Sequence, residues 1–157
     1  MNFRIRNVTV AAVTGPAMLA LASAGDAHHS PVSFDRETPV TITGTVVRFE
    51  VINPHSFLFV RQQAAEGTVE WAVEGPSQAQ LPRRGIDEAA FAPGETVEAC
   101  GYLLKEGDGT GYAGGRAQGA RVLLAEVMVM PDGEARLWSP YGNALCREQK
   151  GYTIAGR

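Results

Sequence analysis

The three histidines are the residues of this chain whose types and spacing could do chemistry. His28 and His29 are adjacent, and His55 lies in the tripeptide Asn53-Pro54-His55. Neutral imidazole is a ligand for Cu(II), and its ordinary pKa of about 6.5 leaves much of it neutral at neutral pH. The histidines therefore predict a metal site made of His28, His29 and His55, with copper as the expected metal.

The residues before His28 have the three parts of a secretory signal peptide. Arg4 and Arg6 give a positive start, residues 8–22 carry no charged side chain, and small residues follow. We expect cleavage after Ala24 or after Ala27, and a periplasmic or secreted mature protein. The apolar segment is about fifteen residues long, whereas a membrane span needs about twenty, so we expect no membrane span after processing.

The cleavage position decides which atoms could bind a metal. Cleavage after Ala27 would make His28 the N-terminal residue, so that its α-amino nitrogen and its imidazole could form a chelate for Cu(II). His55 would then complete a three-nitrogen site. Cleavage after Ala24 would remove the amino ligand and leave the side chains. A polar N-terminal segment and a turn-capping histidine would produce the same residues without any metal.

Composition favours one small, mildly acidic domain. The chain has 157 residues, with 14 Lys and Arg against 17 Asp and Glu, for a net charge of −3. Removing residues 1–27 leaves 130 residues and takes away two arginines and one aspartate, so the net charge becomes 12 − 16 = −4. Because a negative chain gains nothing from phosphate contacts, this charge disfavours nucleic-acid binding.

Short alternating segments rich in β-branched and aromatic residues predict an all-β fold. Strands are predicted over residues 40–52, 56–61, 68–74, 96–104, 121–130 and 135–138. The first changes its apolar phase beside Gly44, as a bulged strand does. A short helix is predicted between Ser77 and Gly85. Three strands, a helix and two strands is the order of the OB barrel. We therefore predict an OB-like five-stranded barrel over residues 28–138, or an open β-sandwich, followed by an irregular tail, residues 139–157.

The two cysteines, Cys100 and Cys146, could form a disulfide in an oxidising compartment. The chain-entropy estimate for a loop of this length is about 4 kcal/mol. The alternative is that Cys100 is a buried strand residue and Cys146 is free in the tail. Their spacing does not fit a Cys-x-x-Cys redox pair or a zinc ribbon.

Other candidate residues have a structural explanation as well as a functional one. Met128 and Met130 would face one side of a strand, which suits Cu(I) thioether ligation or core packing. Glu74 could be a ligand, a carboxylate that supports a ligand, or an exposed strand acid. The sequence has no Gly-x-Ser-x-Gly elbow, and its glycine-rich segment lacks the Lys-Ser/Thr of a phosphate-binding loop. These features favour a binding protein over an enzyme.

Several of these residues belong to a wider pattern. Its parts are His28-His29-Ser30, Gly44-Thr45-Val46, Asn53-Pro54-His55, Trp71-Ala72-Val73-Glu74 and Pro93-Gly94. Over about residues 28–130 the chain resembles a family of small exported bacterial proteins of unknown function. The resemblance implies export and a β-barrel-like domain, and it implies no activity. The chain departs from the pattern in its longer tail and at Ile86, where an aromatic residue often follows the glycine.

Together these features lead us to expect a periplasmic copper-binding β-barrel module that uses the three histidines. A second hypothesis is an OB-like module without metal that binds a small ligand or another periplasmic protein through surface aromatics, namely Phe57, Phe59 and Trp71. A third is a copper-dependent oxidase or oxygenase with N-terminal histidine ligation. That hypothesis needs an open coordination position and a substrate surface, and the sequence indicates neither.

Overall fold

Six strands supply most of the regular structure in the computed structural model, which describes residues 33–107, 112–117, 119–139 and 144–155. The strands are β1 (Val40–Glu50), β2 (Phe57–Ala64), β3 (Gly67–Glu74), β4 (Thr96–Leu103), β5 (Arg121–Val129) and β6 (Ala135–Leu137). The helices are short: a 3-10 helix (Pro82–Arg84), α1 (Tyr112–Gly115) and α2 (Leu145–Lys150). Within the described residues, no helix is both long and apolar enough to cross a membrane.

The first five strands close into a barrel. Strand β1 is antiparallel to both β2 and β4, β2 pairs with β3, and β4 pairs with β5. A parallel pairing of β3 with β5, from Trp71 opposite Arg121 to Glu74 opposite Leu124, completes the circle. This is the strand arrangement of an OB barrel. The predicted all-β, OB-like fold is confirmed, and it is a closed barrel rather than an open sandwich.

Strand β1 carries a bulge that changes which of its side chains face the interior. Its register with β2 shifts between Val46 and Arg48, and one extra residue on a strand reverses the side chains that follow. Ile42 and Val46 before the shift, and Phe49 after it, therefore all pack in the barrel interior. The bulge lies beyond Gly44, the position beside which the phase change was predicted. Gly44 has another role, since a Cβ there would lie 2.6 Å from the carbonyl oxygen of Arg61.

Two apolar clusters lie on opposite sides of the barrel wall. Four consecutive residues of β2, from Phe57 to Val60, are fully buried, because successive side chains point to opposite faces and both faces are covered. Leu58 and Val60 belong to the interior cluster. The outer cluster consists of Phe34, Phe57, Phe59, Ala72, Tyr102, Tyr112, Ala117, Ala120, Val122 and Leu124. Phe34 and the segment around Tyr112 thus pack on the outside of the barrel.

The predicted helix between β3 and β4 is present in a shorter form. The backbone N–H groups of Gln80 and Leu81 donate to the Ser77 carbonyl, and the 3-10 helix begins after this turn, at Pro82. Proline suits the first position of a helix because its φ is already helical and its missing N–H is not needed there. Gly85 ends the helix with φ of 67° and donates its N–H to Pro82.

The chain after β5 adds one short strand and one short helix to the barrel. Strand β6 pairs with β5, and Ile154 forms a bridge with Ala135 of β6. Helix α2 lies in the segment whose lack of periodicity predicted an irregular tail. Its Cys146 is joined to Cys100 of β4 by a disulfide with a Cα–Cα distance of 5.9 Å. This helix is positioned by tertiary contacts, and six residues are too few for a stable isolated helix.

Candidate functional site

Two of the sequence motifs meet at one end of strands β2 and β3. His55 precedes β2, and Glu74 is the last residue of β3. Antiparallel pairing puts Phe57 opposite Glu74, so the start of one strand lies beside the end of the other. The Nδ1 atom of His55 lies 3.1 Å from Oε1 of Glu74. The tripeptide that contains His55 and the Trp71-Ala72-Val73-Glu74 segment therefore supply an imidazole–carboxylate pair.

A third side chain, Tyr112, holds the other oxygen of Glu74. The Tyr112 hydroxyl donates to Oε2 of Glu74, and the Tyr112 ring packs edge-on against Phe34 with centroids 5.8 Å apart. Burial raises the pKa of the Tyr112 phenol, and the charge and hydrogen bond of Glu74 raise it further. The phenol therefore stays protonated and remains a donor. Glu74 itself is only 2% exposed.

Backbone contacts fix the position of this group. Trp138 donates its indole N–H to the Glu74 carbonyl at 3.0 Å. Ser56 donates through both Oγ and its backbone N–H to the Pro76 carbonyl, at 2.7 and 3.0 Å. At Gly75 there is no room for a side chain, because a Cβ would lie 2.7 Å from the Trp138 ring. The site is thus built on a tightly packed segment directly after β3.

The Glu74 carboxylate determines which ring nitrogen of His55 carries the proton. A carboxylate accepts hydrogen bonds, so it selects the His55 tautomer with the proton on Nδ1 and the lone pair on Nε2. Histidines that bind metals almost always donate the N–H of their other ring nitrogen to a carboxylate, a carbonyl or water in this way. The His55 side chain is 19% exposed. In this tautomer Nε2 carries the ring's lone pair, which is the group that a neutral imidazole uses to bind a metal ion.

The described residues do not contain a complete metal site. No group of three or more His, Cys, Asp or Glu side chains converges in the part of the chain that the structure describes. His28 and His29 lie outside those residues, as does the whole predicted signal peptide. The structure thus describes one histidine of the predicted three and the carboxylate that orients it.

The other candidate residues that the structure describes are buried in the fold. Met128 and Met130 are 0% and 4% exposed in the barrel interior, which is core packing. The aromatic residues proposed for a binding surface are buried, at 1% for Phe57, 1% for Phe59 and 5% for Trp71. One interpretation of Glu74 is an exposed strand acid, whose side chain points outward from β3. It does so, but Tyr112 covers it, so it is not an exposed strand acid.

Sequence reasoning missed Tyr112 and Trp138 as parts of this site. Tyr112 lies in the glycine-rich segment, where no periodicity indicates which residue packs inward. The sequence predicts that Trp138 lies at the end of the last short strand and does not indicate a partner for it. A buried indole N–H needs an acceptor, and that requirement was the one available signal.

The closed barrel and the imidazole–carboxylate pair define a small OB-like barrel with a polar site at the ends of β2 and β3. The chain belongs to DUF6152, a family of unknown function, whose sequence model matches residues 17–113. That range includes His55, Glu74 and Tyr112 and ends before β5. The predicted resemblance to a family of unknown function is therefore confirmed. No curated protein matches the chain.

Proposed function

We propose that this protein is a periplasmic or secreted copper-binding module in which Nε2 of His55 is a metal ligand. The observation that carries the proposal is the 3.1 Å contact between His55 Nδ1 and the buried Glu74 carboxylate. Such a carboxylate orients the ring and raises the basicity of the opposite nitrogen, and losing it typically weakens metal binding by about 10- to 100-fold.

The other ligands in this proposal are His28 and His29, with the N-terminal amine if cleavage follows Ala27. Phe34 supports this assignment because its ring packs on Tyr112, which in turn contacts Glu74. Phe34 therefore holds the chain near the site five residues after His29. Five residues span at most about 17 Å, which is enough to bring His29 to the neighbourhood of His55.

Copper is the metal we propose, since nitrogen ligands bind Cu(II) more tightly than the other divalent metals of the first transition series. The periplasmic location rests on the signal-peptide pattern of the N-terminus. The disulfide between Cys100 and Cys146 supports it, because disulfides persist in oxidising compartments.

Calorimetric titration of the mature protein with Cu(II) tests the proposal. We expect about one Cu(II) per chain, and His55→Ala should weaken binding about tenfold or more. One residue added ahead of His28 should also weaken binding if the amine is a ligand. Met128→Leu is the matched control, because this conservative core change lies in the barrel interior and leaves every nitrogen ligand in place.

Two results would contradict the proposal. If His55→Ala binds Cu(II) as the parent does, His55 has a structural role only. If the parent binds no copper, a module that binds an organic ligand or a partner protein without metal becomes the better hypothesis.

A further inference from the structure

A cavity of about 340 Å³ lies between the 3-10 helix, β6 and the C-terminal segment. Three arginines line it, Arg83, Arg84 and Arg136, together with the apolar residues Leu137 and Ile154. It shares no residue with the His55–Glu74 pair. Small-molecule sites in proteins commonly have volumes of about 300–1,000 Å³, mostly apolar walls and a few convergent polar groups.

The arginines of this cavity differ in whether a carboxylate lies beside them. Arg136 contacts the carboxylates of Asp132 and Glu134, each at 3.2 Å. Arg84 donates to the Leu137 carbonyl at 3.0 Å, which is a neutral acceptor. Across the described parts of the chain, neither Arg83 nor Arg84 lies within 4.0 Å of a carboxylate. Among the residues that the structure describes, these two positive charges therefore have no carboxylate partner.

This concentration of positive charge is unusual for the chain as a whole, whose net charge is −3. Burial lowers the pKa of the Arg84 guanidinium, because removal from water disfavours the charged form, yet an arginine stays charged at neutral pH. A planar guanidinium matches a carboxylate in geometry and can bind it through two parallel hydrogen bonds. An anionic ligand would therefore offset the cost of placing these charges at one cavity.

We propose that this cavity binds a small organic carboxylate. The carboxylate head contacts the guanidinium groups of Arg83 and Arg84, and the apolar body of the ligand lies against Leu137 and Ile154. The neighbouring Arg136 donates to Asp132, Glu134 and the carbonyl of Gly85. These contacts hold its side chain in place at one side of the cavity. This site is independent of the proposed metal site.

Titration of the disulfide-bonded mature protein with hexanoate, followed by amide chemical shifts in NMR spectra, tests this proposal. We expect saturable shifts around the 3-10 helix and β6 with hexanoate and none with the neutral hexanamide. Arg83→Gln and Arg84→Gln should each weaken hexanoate binding about tenfold, the usual effect of removing one charge-assisted contact. Arg83 is exposed, so its substitution should leave the fold intact.

Arg61→Gln is the matched control, since Arg61 is an exposed arginine on β2 that contacts Glu70 and does not line the cavity. It should bind hexanoate as the parent does. The proposal is overturned if the parent shows no saturable binding, if Arg83→Gln binds as tightly as the parent, or if hexanamide binds equally well. Binding of inorganic phosphate without hexanoate would also overturn it, because the apolar wall would then have no role.

Discussion

Glu74 lies where side chains from three separate parts of the sequence meet. His55 contacts one carboxylate oxygen, Tyr112 donates to the other, and Trp138 donates to the backbone carbonyl. A buried carboxylate is costly unless hydrogen bonds replace its water. These contacts explain how Glu74 can be 2% exposed, and they make its environment sensitive to small changes.

Tyr112→Phe should lower the free energy of unfolding by about 1–3 kcal/mol, because the buried carboxylate loses one donor. Urea denaturation measures the change. Tyr152→Phe is the comparison, since that hydroxyl donates to Glu98 at a partly exposed position and should cost about 1 kcal/mol or less. Equal effects of the two substitutions would show that burial of Glu74 does not depend on the Tyr112 hydroxyl.

Tyr152 should make stability fall at high pH. Burial and the hydrogen bond to Glu98 raise the pKa of Tyr152 to about 12 from 10.0. The protonated phenol is thus favoured in the folded state, so its contribution is complete below about pH 10 and is lost as the pH rises toward about 12. We expect the urea midpoint to fall over that range, and to fall less steeply in Tyr152→Phe. Identical slopes for the two proteins would contradict this.

At the scale of the elements, the pairing of β4 with β5 depends on Gly101. The register shifts between Cys100 and Gly101, and a Cβ on Gly101 would meet the Leu124 carbonyl oxygen and lie 2.6 Å from the Cα of Ala125. Both are backbone atoms of the neighbouring strand. They cannot move without disturbing the ladder that joins the two strands.

Gly101→Ala should therefore destabilise the protein by about 3 kcal/mol, the upper end of the usual range for overpacking. Gly107→Ala is the matched control. Its φ of 82° is left-handed and nothing lies within 4 Å of the added Cβ, so it should cost only about 1 kcal/mol from backbone strain. Thermal or urea unfolding compares the two, and a smaller loss at Gly101 than at Gly107 would refute the steric argument.

The strands could be predicted because each alternates or carries a continuous apolar run, and their order around a helix indicated the barrel. The phase change in β1 predicted a bulge, although the shift lies after Val46 rather than beside Gly44. Burial of Glu74 could not be predicted, because its cover comes from Tyr112, 38 residues later. Helix α2 was missed for a similar reason: its position depends on contacts with β4 and β5, and no local periodicity indicates it.

At the scale of the whole molecule, the C-terminal segment is fastened to the barrel by covalent and polar contacts. The disulfide joins it to β4. Buried Glu126 of β5 accepts from the Tyr102 hydroxyl at 2.7 Å and from Nε of Arg147 at 3.2 Å. The segment is thus held on one side of the barrel by two adjacent strands.

Reduction of the disulfide should lower the free energy of unfolding by about 4 kcal/mol, since the bond closes a loop across 46 residues. Urea denaturation with and without a reductant measures the loss. A variant with both cysteines replaced by serine is the control and should not respond to the reductant. If the reductant also leaves the parent's urea midpoint unchanged, while alkylation confirms free thiols, the disulfide contributes nothing to the free energy of unfolding.

The parallel pairing of β3 with β5 has a consequence for how the chain is made. Synthesis delivers the N-terminus first, so β1 to β4 emerge before any partner exists for the free edges of β3 and β4. The family match ends at residue 113, and a chain cut there would keep both edges open permanently. Open edges pair with other chains, so such a fragment should self-associate. Strand β5, the last barrel strand to be made, therefore protects the protein from aggregation by pairing with the open edges of both β3 and β4.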